Sequence, residues 1–203
     1  FNNNYAPTGG ALFLDNENAL AITNVSFYNN TAILKSGTDS SETSSGGGGA
    51  IALNFFNYLD IQNTVFINNL AAAGGAILSI SKNSITAWSL SMLYNVANTI
   101  GGAIAMYDST VLTFYNNVTT LAFNDATMAG GAIALSDCNL WSMQNASLII
   151  TNNIAARGSA FAFKSLNIYS GSLMNLYIAS NIATAGGTIF WLYDSSMKSE
   201  PMG

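Results

Sequence analysis

Large apolar residues alternate with small or polar ones along this chain in short runs, and each run is bounded by glycines or asparagines. The alternation is clearest after the phrase Gly-Gly-Ala-Ile, which stands at 48–51, 74–77, 101–104 and 130–133, with looser copies at 9–12, 158–161 and 186–189. With the two glycines numbered 1 and 2, position 4 holds Leu12, Ile51, Ile77, Ile104, Ile133, Phe161 and Ile189. Position 6 holds Leu14, Leu53, Ser79, Met106, Leu135, Phe163 and Trp191. Position 3 is Ala11, Ala50, Ala76, Ala103, Ala132, Ala160 and Thr188, and position 5 is mostly alanine. Alternation at period 2 predicts a β-strand with one buried face. The large residues are expected to point inward and the alanines outward.

The rest of each repeat follows the same logic. A turn carries Asp15-Asn16, Asn83-Ser84, Asp108-Ser109, Asp137 or Asp194-Ser195, residues that bond their own backbone in turns. A second short strand follows at 20–24, 59–63 or 166–170, and a third leads into an apolar-x-x-Asn motif. That motif recurs at Phe1/Asn4, Phe27/Asn30, Phe66/Asn69, Met92/Asn95, Leu121/Asn124, Ile150/Asn153 and Ile178/Asn181. Helix is disfavoured by so much Asn, Gly, Ser, Thr and β-branched residue. The first glycines lie at 9, 48, 74, 101, 130, 158 and 186, giving steps of 39, 26, 27, 29, 28 and 28. The long first step is accounted for by residues 35–47, a Ser/Thr/Gly-rich stretch without apolar residues, read as a loop extruded from one corner.

A fixed period of this size marks a solenoid. Three short strands and three corners in about 28 residues make one coil of a single-stranded parallel β-helix, all-β, with about seven coils. At roughly 4.8 Å per coil the rod is on the order of 30 Å long. Position 4 stacks on its equivalents along the axis. Asn4, Asn30, Asn69, Asn95, Asn124, Asn153 and Asn181 are expected to align as a ladder in which each side-chain amide bonds the next. The glycines beside that corner permit positive φ and close approach of coils.

Composition sharpens this picture. Half the residues are hydrophobic and only 7% are charged, so the surface is a neutral one of Ser, Thr, Asn and Gly. A net charge of −5, spread thinly, offers no basic patch for nucleic acid. With no histidine and a single cysteine, Cys138, neither an intramolecular disulfide nor a histidine- or cysteine-pair zinc site is possible; Cys138 reads as a small turn residue. No apolar stretch reaches the roughly 20 residues of a membrane span. Residues 1–203 read as one repeat domain, a window of a longer protein.

The paired motif, as in Phe66-Ile-Asn-Asn69 leading into Gly74-Gly-Ala-Ile77, resembles the repeats of the polymorphic outer-membrane proteins of chlamydiae. The resemblance covers the chain apart from the 35–47 insertion. It implies a right-handed β-helix of the pectate-lyase-like kind, displayed at a cell surface for adhesion or as a structural stalk. Met92, Leu121, Ile150 and Ile178 replace the usual phenylalanine, and Ser159 replaces a glycine, but each keeps an apolar filler or a small residue.

Candidate chemistry is sparse. Glycoside hydrolysis needs two carboxylates about 5–10 Å apart. Of the ten acids only Asp108 and Asp137 occupy equivalent turns on adjacent coils, where they could hold a calcium ion or simply form turns. No base accompanies them, so no catalytic residue, metal site or cofactor is assigned. Gly46-Gly47-Gly48-Gly49 lacks the Lys-Ser/Thr ending of a phosphate loop and precedes a strand. Four N-glycosylation sequons begin at Asn24, Asn29, Asn117 and Asn145; they read as glycan sites in a secreted eukaryotic protein and as turn residues otherwise. The 36–45 run reads as O-glycosylated or disordered.

The outward alanines Ala50, Ala76, Ala103, Ala105, Ala132 and Ala134, with Ala11 and Ala52, are expected to form a flat apolar strip, either a contact face or relief of crowding beside the glycines. The sequence thus reads as an extracellular or cell-surface rod, structural or adhesive and not enzymatic. Its expected partners are copies of itself, other surface or matrix proteins, or glycans. The alternatives are a polysaccharide-active enzyme of the same fold and a carbohydrate-binding module, the latter suggested by Tyr107, Tyr115 and Trp88.

Overall fold

The computed structural model describes residues 1–33, 46–137, 139–165, 168–172, 175–187, 189–193 and 198–199. Its strands are all parallel and arranged as three sheets that the chain visits in turn, once per coil. The glycine sheet contains Leu12–Asp15, Ile51–Asn54, Ile77–Ile80, Ile104–Tyr107, Ile133–Ser136, Phe161–Lys164 and Phe190–Tyr193. Each strand therefore lies against its equivalent one repeat away, as a solenoid of period near 28 requires. Among the described residues no helix is long and apolar enough to cross a membrane, which leaves membrane-spanning barrels unaddressed.

The second and third expected strands form one broad sheet. In the coils that hold Tyr58–Ile67 and Ser84–Leu93 they merge into single strands of 10 residues. A residue with positive φ, Asn63 at 46° or Ser89 at 60°, bends each of them midway. Later coils break at the same place, where Val111–Tyr115 gives way to Val118–Ala122 through Asn116 at φ 47°.

The segment between the ladder asparagine and the glycine pair was expected to be a corner and is instead a strand. Tyr5–Ala6, Thr31–Ala32, Leu70–Ala71, Val96–Ala97, Asp125–Ala129, Ile154–Arg157 and Ile182–Gly186 make a seven-stranded asparagine sheet. Most of these strands are too short to show alternation in sequence.

The interior is one continuous apolar column. Phe1, Phe27 and Phe66 stack with centroids 5.0 and 4.9 Å apart and nearly parallel planes, and Met92, Leu121 and Ile150 continue that file, fully buried. Position 4 of the glycine strand is fully buried at Ile51, Ile77, Ile104, Ile133 and Phe161. Ser79 is the one polar residue in the position 6 file among the described coils, and it is fully buried. Its hydroxyl lies 3.3 Å from the Thr110 hydroxyl and accepts a bond of 3.0 Å from Asn83 Nδ2. The three polar groups satisfy one another inside the core. A double-mutant cycle of Ser79→Leu and Thr110→Asn should therefore give a coupling energy of about 0.5–3 kcal/mol, read from denaturant midpoints; strictly additive effects would refute the coupling.

The alanines do not form the expected outward strip. Ala50, Ala76, Ala103 and Ala132 are fully buried in the main core. Position 3 precedes the strand proper, where the chain is still leaving the glycine corner, so positions 3 and 4 both turn inward. Ala105 and Ala134 do lie on the outer face, but each is packed under residues of the chain that enters the glycine pair: Ala73 and Ile100 by Ala105, and Ala129 by Ala134.

Two boundaries also move. Gly47 pairs with Ala73 in a parallel bridge and Gly46 accepts a bond from Ala72 N, so both belong to the coil and not to the 35–47 loop. Residues 34–45, which hold the rest of that loop, lie outside the described residues, as does Cys138. In the last coil Phe161 pairs with Phe190, not with Ile189. Gly187, at φ 50°, takes the role assigned to Gly186. One extra residue after Asn181 is absorbed where the pairing shifts between Ala155 and Arg157, and Trp191 is thereby moved from the core to the outer face.

Candidate functional site

The corner that joins the broad sheet to the asparagine sheet is built on the seven asparagines. The residue before each adopts positive φ: Asn3, Asn29, Asn68, Tyr94, Phe123, Asn152 and Ser180. This left-handed step turns the following asparagine inward. Asn30, Asn69, Asn95, Asn124 and Asn153 are fully buried. Each donates its Nδ2 to Oδ1 of the next, over 2.9 Å from Asn30 to Asn69, 2.9 Å to Asn95, 3.0 Å to Asn124, 2.9 Å to Asn153 and 2.9 Å to Asn181. The same Oδ1 accepts the backbone N–H of the preceding asparagine, as for Asn95 N to Asn124 Oδ1 at 3.0 Å. The second amide proton goes to a carbonyl of the preceding coil, Asn124 to Met92 O at 3.0 Å for example. Asn4 starts the file with a bond of 2.8 Å to Asn30.

A second file occupies the turn after the glycine strand. Asn18 and Asn57 donate both backbone and side-chain N–H to the next asparagine, Asn57 and Asn83, at 2.8–3.2 Å. Thr110 interrupts the file and its N–H bonds Asn139 Oδ1 at 3.0 Å. Sequence reasoning missed this file, although Asn18, Asn57, Asn83, Thr110 and Asn139 each stand nine residues after the first glycine of their repeat. Two left-handed residues precede Asn18, Asn57, Asn83 and Thr110, Asp108 and Ser109 before Thr110 for instance.

Asp108 and Asp137 sit at that same turn, and their carboxylates are engaged by hydroxyls. Ser81 Oγ donates to Asp108 at 3.0 Å, and Ser136 Oγ and Ser165 Oγ donate to Asp137, each at 2.8 Å. Among the described residues no three His, Cys, Asp or Glu side chains cluster to hold a metal ion.

The four sequon asparagines, Asn24, Asn29, Asn117 and Asn145, are all exposed. Asn145 Nδ2 donates to Asn116 Oδ1 at 3.2 Å, while Thr119 of the Asn117 sequon is buried with its hydroxyl accepting from Leu90 N. The aromatic candidates divide. Trp88 and Tyr115 stack at 4.8 Å on the outer face of the broad sheet, half-buried, with the Trp88 indole N–H enclosed without a hydrogen-bond partner. Tyr107 is buried at 8% exposure within the outer cluster of Leu78 and Ala105. Burial raises the Tyr169 phenol above its ordinary value of 10.0, where it packs against Trp141 with centroids 4.5 Å apart.

A groove of about 190 Å³ runs along the outer face of the glycine sheet. Its floor is Ala134 and Ala162, its flank is Ile100, Met128 and Ala129, and Tyr107, Arg157, Lys164 and Trp191 are also among its lining. Arg157 lies over the Trp191 ring, 5.5 Å from its centroid, within cation–π range. No repeat pattern announces this groove, because its lining is contributed by four coils and two separate strips of the chain.

Residues 24–54 match the Chlamydia polymorphic membrane protein (Chlamydia_PMP) repeat. That stretch runs from the corner before Phe27-x-x-Asn30 through the second glycine strand, so it spans one motif pair and the insertion between them. No curated protein and no solved structure matches the chain.

Proposed function

We propose that this chain is the body of a surface-displayed β-helix rod, extracellular, with a structural or adhesive role. The observation that carries the reading is the uninterrupted stack of coils in which one asparagine per turn bonds the next, from Asn4 to Asn181, buried from Asn30 onward. Such a stack gives length and stiffness without histidine, disulfide or metal. The match of residues 24–54 to a repeat of chlamydial polymorphic membrane proteins points the same way. The polysaccharide-active alternative has less behind it, since Asp108 and Asp137 serve as hydroxyl-bonded turn residues.

An antibody raised against the 35–45 segment tests the display. It should label intact cells of the source organism, and trypsin added to those cells should remove the signal. Labelling that appears only after permeabilisation would refute the reading. The exposed sequons at Asn24, Asn29, Asn117 and Asn145 add candidate glycan sites if the source is a secreting eukaryote.

A further inference from the structure

The ladder corner changes character midway along the rod. The left-handed residue before the ladder asparagine is Asn3, Asn29, Asn68, Asn152 or Ser180 in five coils, but Tyr94 and Phe123 in two adjacent ones, at φ 56° and 57°. Asparagine tolerates that conformation, whereas a bulky ring is strained by it. The two rings are 50% and 46% exposed and stack on each other, 4.9 Å between centroids with planes 12° apart. Strain carried by exposed rings at one place in a repeating corner marks a use outside the core.

The rings crown an apolar ridge. On the broad-sheet side Leu93 stands in register with Ile67 and Ala122. On the asparagine-sheet side Val96 stands in register with Leu70 and Asp125, and Ile154 follows Asp125. Val96 and Ile154 are 37% and 40% exposed. At about 150–250 Å² for a whole aromatic side chain, the exposed halves of the two rings alone offer about 200 Å². With the flanking aliphatic residues the apolar patch reaches on the order of 400 Å², the size at which a patch on a monomer is often functional.

Charge and periodicity narrow the occupant. The five Lys/Arg stand at 35, 82, 157, 164 and 198, none of them in the ridge segments 67–70, 93–96 and 122–125. A lipid surface would find no cation there for its phosphates. A peptide added as a further strand is disfavoured, because Val96–Ala97 is already paired on both sides. The ridge repeats at the strand spacing of about 4.8 Å, and a second copy of the same solenoid repeats at that spacing too. A two-fold axis between Tyr94 and Phe123 sets each tyrosine against the other copy's phenylalanine. It also puts the two Asp125 carboxylates on opposite sides of the ridge, so no like charges meet. An apolar core of about 400 Å², at roughly three-fifths of an interface, belongs to about 650 Å² per copy, somewhat below the standard of about 800 Å².

We propose that two copies of this chain pair side by side through the Tyr94–Phe123 ridge, as a weak two-fold dimer. The proposal goes beyond the surface-rod reading and does not rest on it.

Sedimentation equilibrium of the intact chain tests the pairing. A monomer–dimer equilibrium is expected, with a dissociation constant on the order of micromolar, as befits an interface of this size. The double variant Tyr94→Asn and Phe123→Asn gives both coils the residue that neighbouring coils carry. It should weaken association by about tenfold or more. It should also keep or raise the parent's denaturant midpoint, read at a concentration where the parent is monomeric. Rings that served only to hold the coils together would instead leave association unchanged and lower the midpoint. If the double variant fails to fold, Val96→Lys, at an exposed side chain on the flank, should weaken association to a similar degree and decides. A parent that stays monomeric at about 100 μM would overturn the proposal. So would a monomer that floats with phosphatidylcholine vesicles, or a folded variant that dimerises as the parent does.

Discussion

Gly102→Ala is expected to prevent folding or to leave a chain that melts far below the parent. The second glycine of the pairs that begin at Gly9, Gly48, Gly74, Gly101 and Gly130 is the point of closest approach between coils. A methyl group on Gly102 would fall on the carbonyl oxygen of Gly131 in the next coil and within 2.8 Å of both Asp125 N and Asp125 O. All of these are backbone atoms held in parallel pairing, so none can swing aside as a side-chain end would. Relief requires the two coils to part, and that breaks the flanking bonds Gly102 N to Gly130 O and Asp125 N to Asn95 O, at 3.0 and 2.9 Å. Loss of those bonds and of the packing between two coils exceeds the roughly 4–5 kcal/mol that marks an exceptional single substitution. The first glycine is demanded for a different reason: Gly101 has φ +67°, a conformation that costs an L-residue about 1–2 kcal/mol before any contact is counted. Denaturant unfolding followed by far-ultraviolet circular dichroism reads the effect. A Gly102→Ala protein with the parent's midpoint would show that the coils are not this close.

Asn124→Ala should be the next most damaging change. Asn124 is fully buried, and its side chain and backbone N–H serve five bonds at once. Its Oδ1 accepts from Asn95 N and Nδ2 at 3.0 Å each, its Nδ2 donates to Met92 O and Asn153 Oδ1 at 3.0 and 2.9 Å, and its own N–H bonds Asn153 Oδ1 at 2.9 Å. Truncation removes the side chain from four of them and strands two donors of Asn95 and the carbonyl of Met92 away from water. At about 1–3 kcal/mol for each buried group left unpaired, the loss exceeds about 3 kcal/mol. Asn4→Ala is a control, since Asn4 is only partly buried and opens the file; its cost should be about 1 kcal/mol. Equal losses at the two sites would contradict a cooperative internal ladder.

The reasons some features were legible in sequence and others were not are physical. The ladder file and the glycine corner recur because every coil must solve the same packing problem with the same few atoms. Phe27, Phe66 and their replacements could be read as one file on that ground. The second file of Asn18, Asn57, Asn83 and Asn139 obeys a constant spacing too, but Thr110 breaks it and Ser79 compensates for the break from another position. The direction of Ala103 was not legible because alternation applies within a strand, and position 3 lies just before one. The shift that carries Trp191 outward depends on which of two adjacent glycines takes positive φ, a choice made by a register shift in the neighbouring sheet. The groove is a property of four coils together, invisible to any reading that treats repeats singly.

The central claim is that buried, mutually bonded asparagine amides hold the coils in register. Hydrogen exchange of side-chain amides, followed by nuclear magnetic resonance on protein labelled with ¹⁵N at asparagine, tests it most directly. The Nδ2 protons of Asn69, Asn95, Asn124 and Asn153 should persist for as long as the most protected backbone amides, while those of exposed Asn24, Asn29 and Asn117 vanish at once. Loss of all the side-chain amide signals within the dead time of the experiment would contradict the ladder, and with it the account of how this chain stands as a rod.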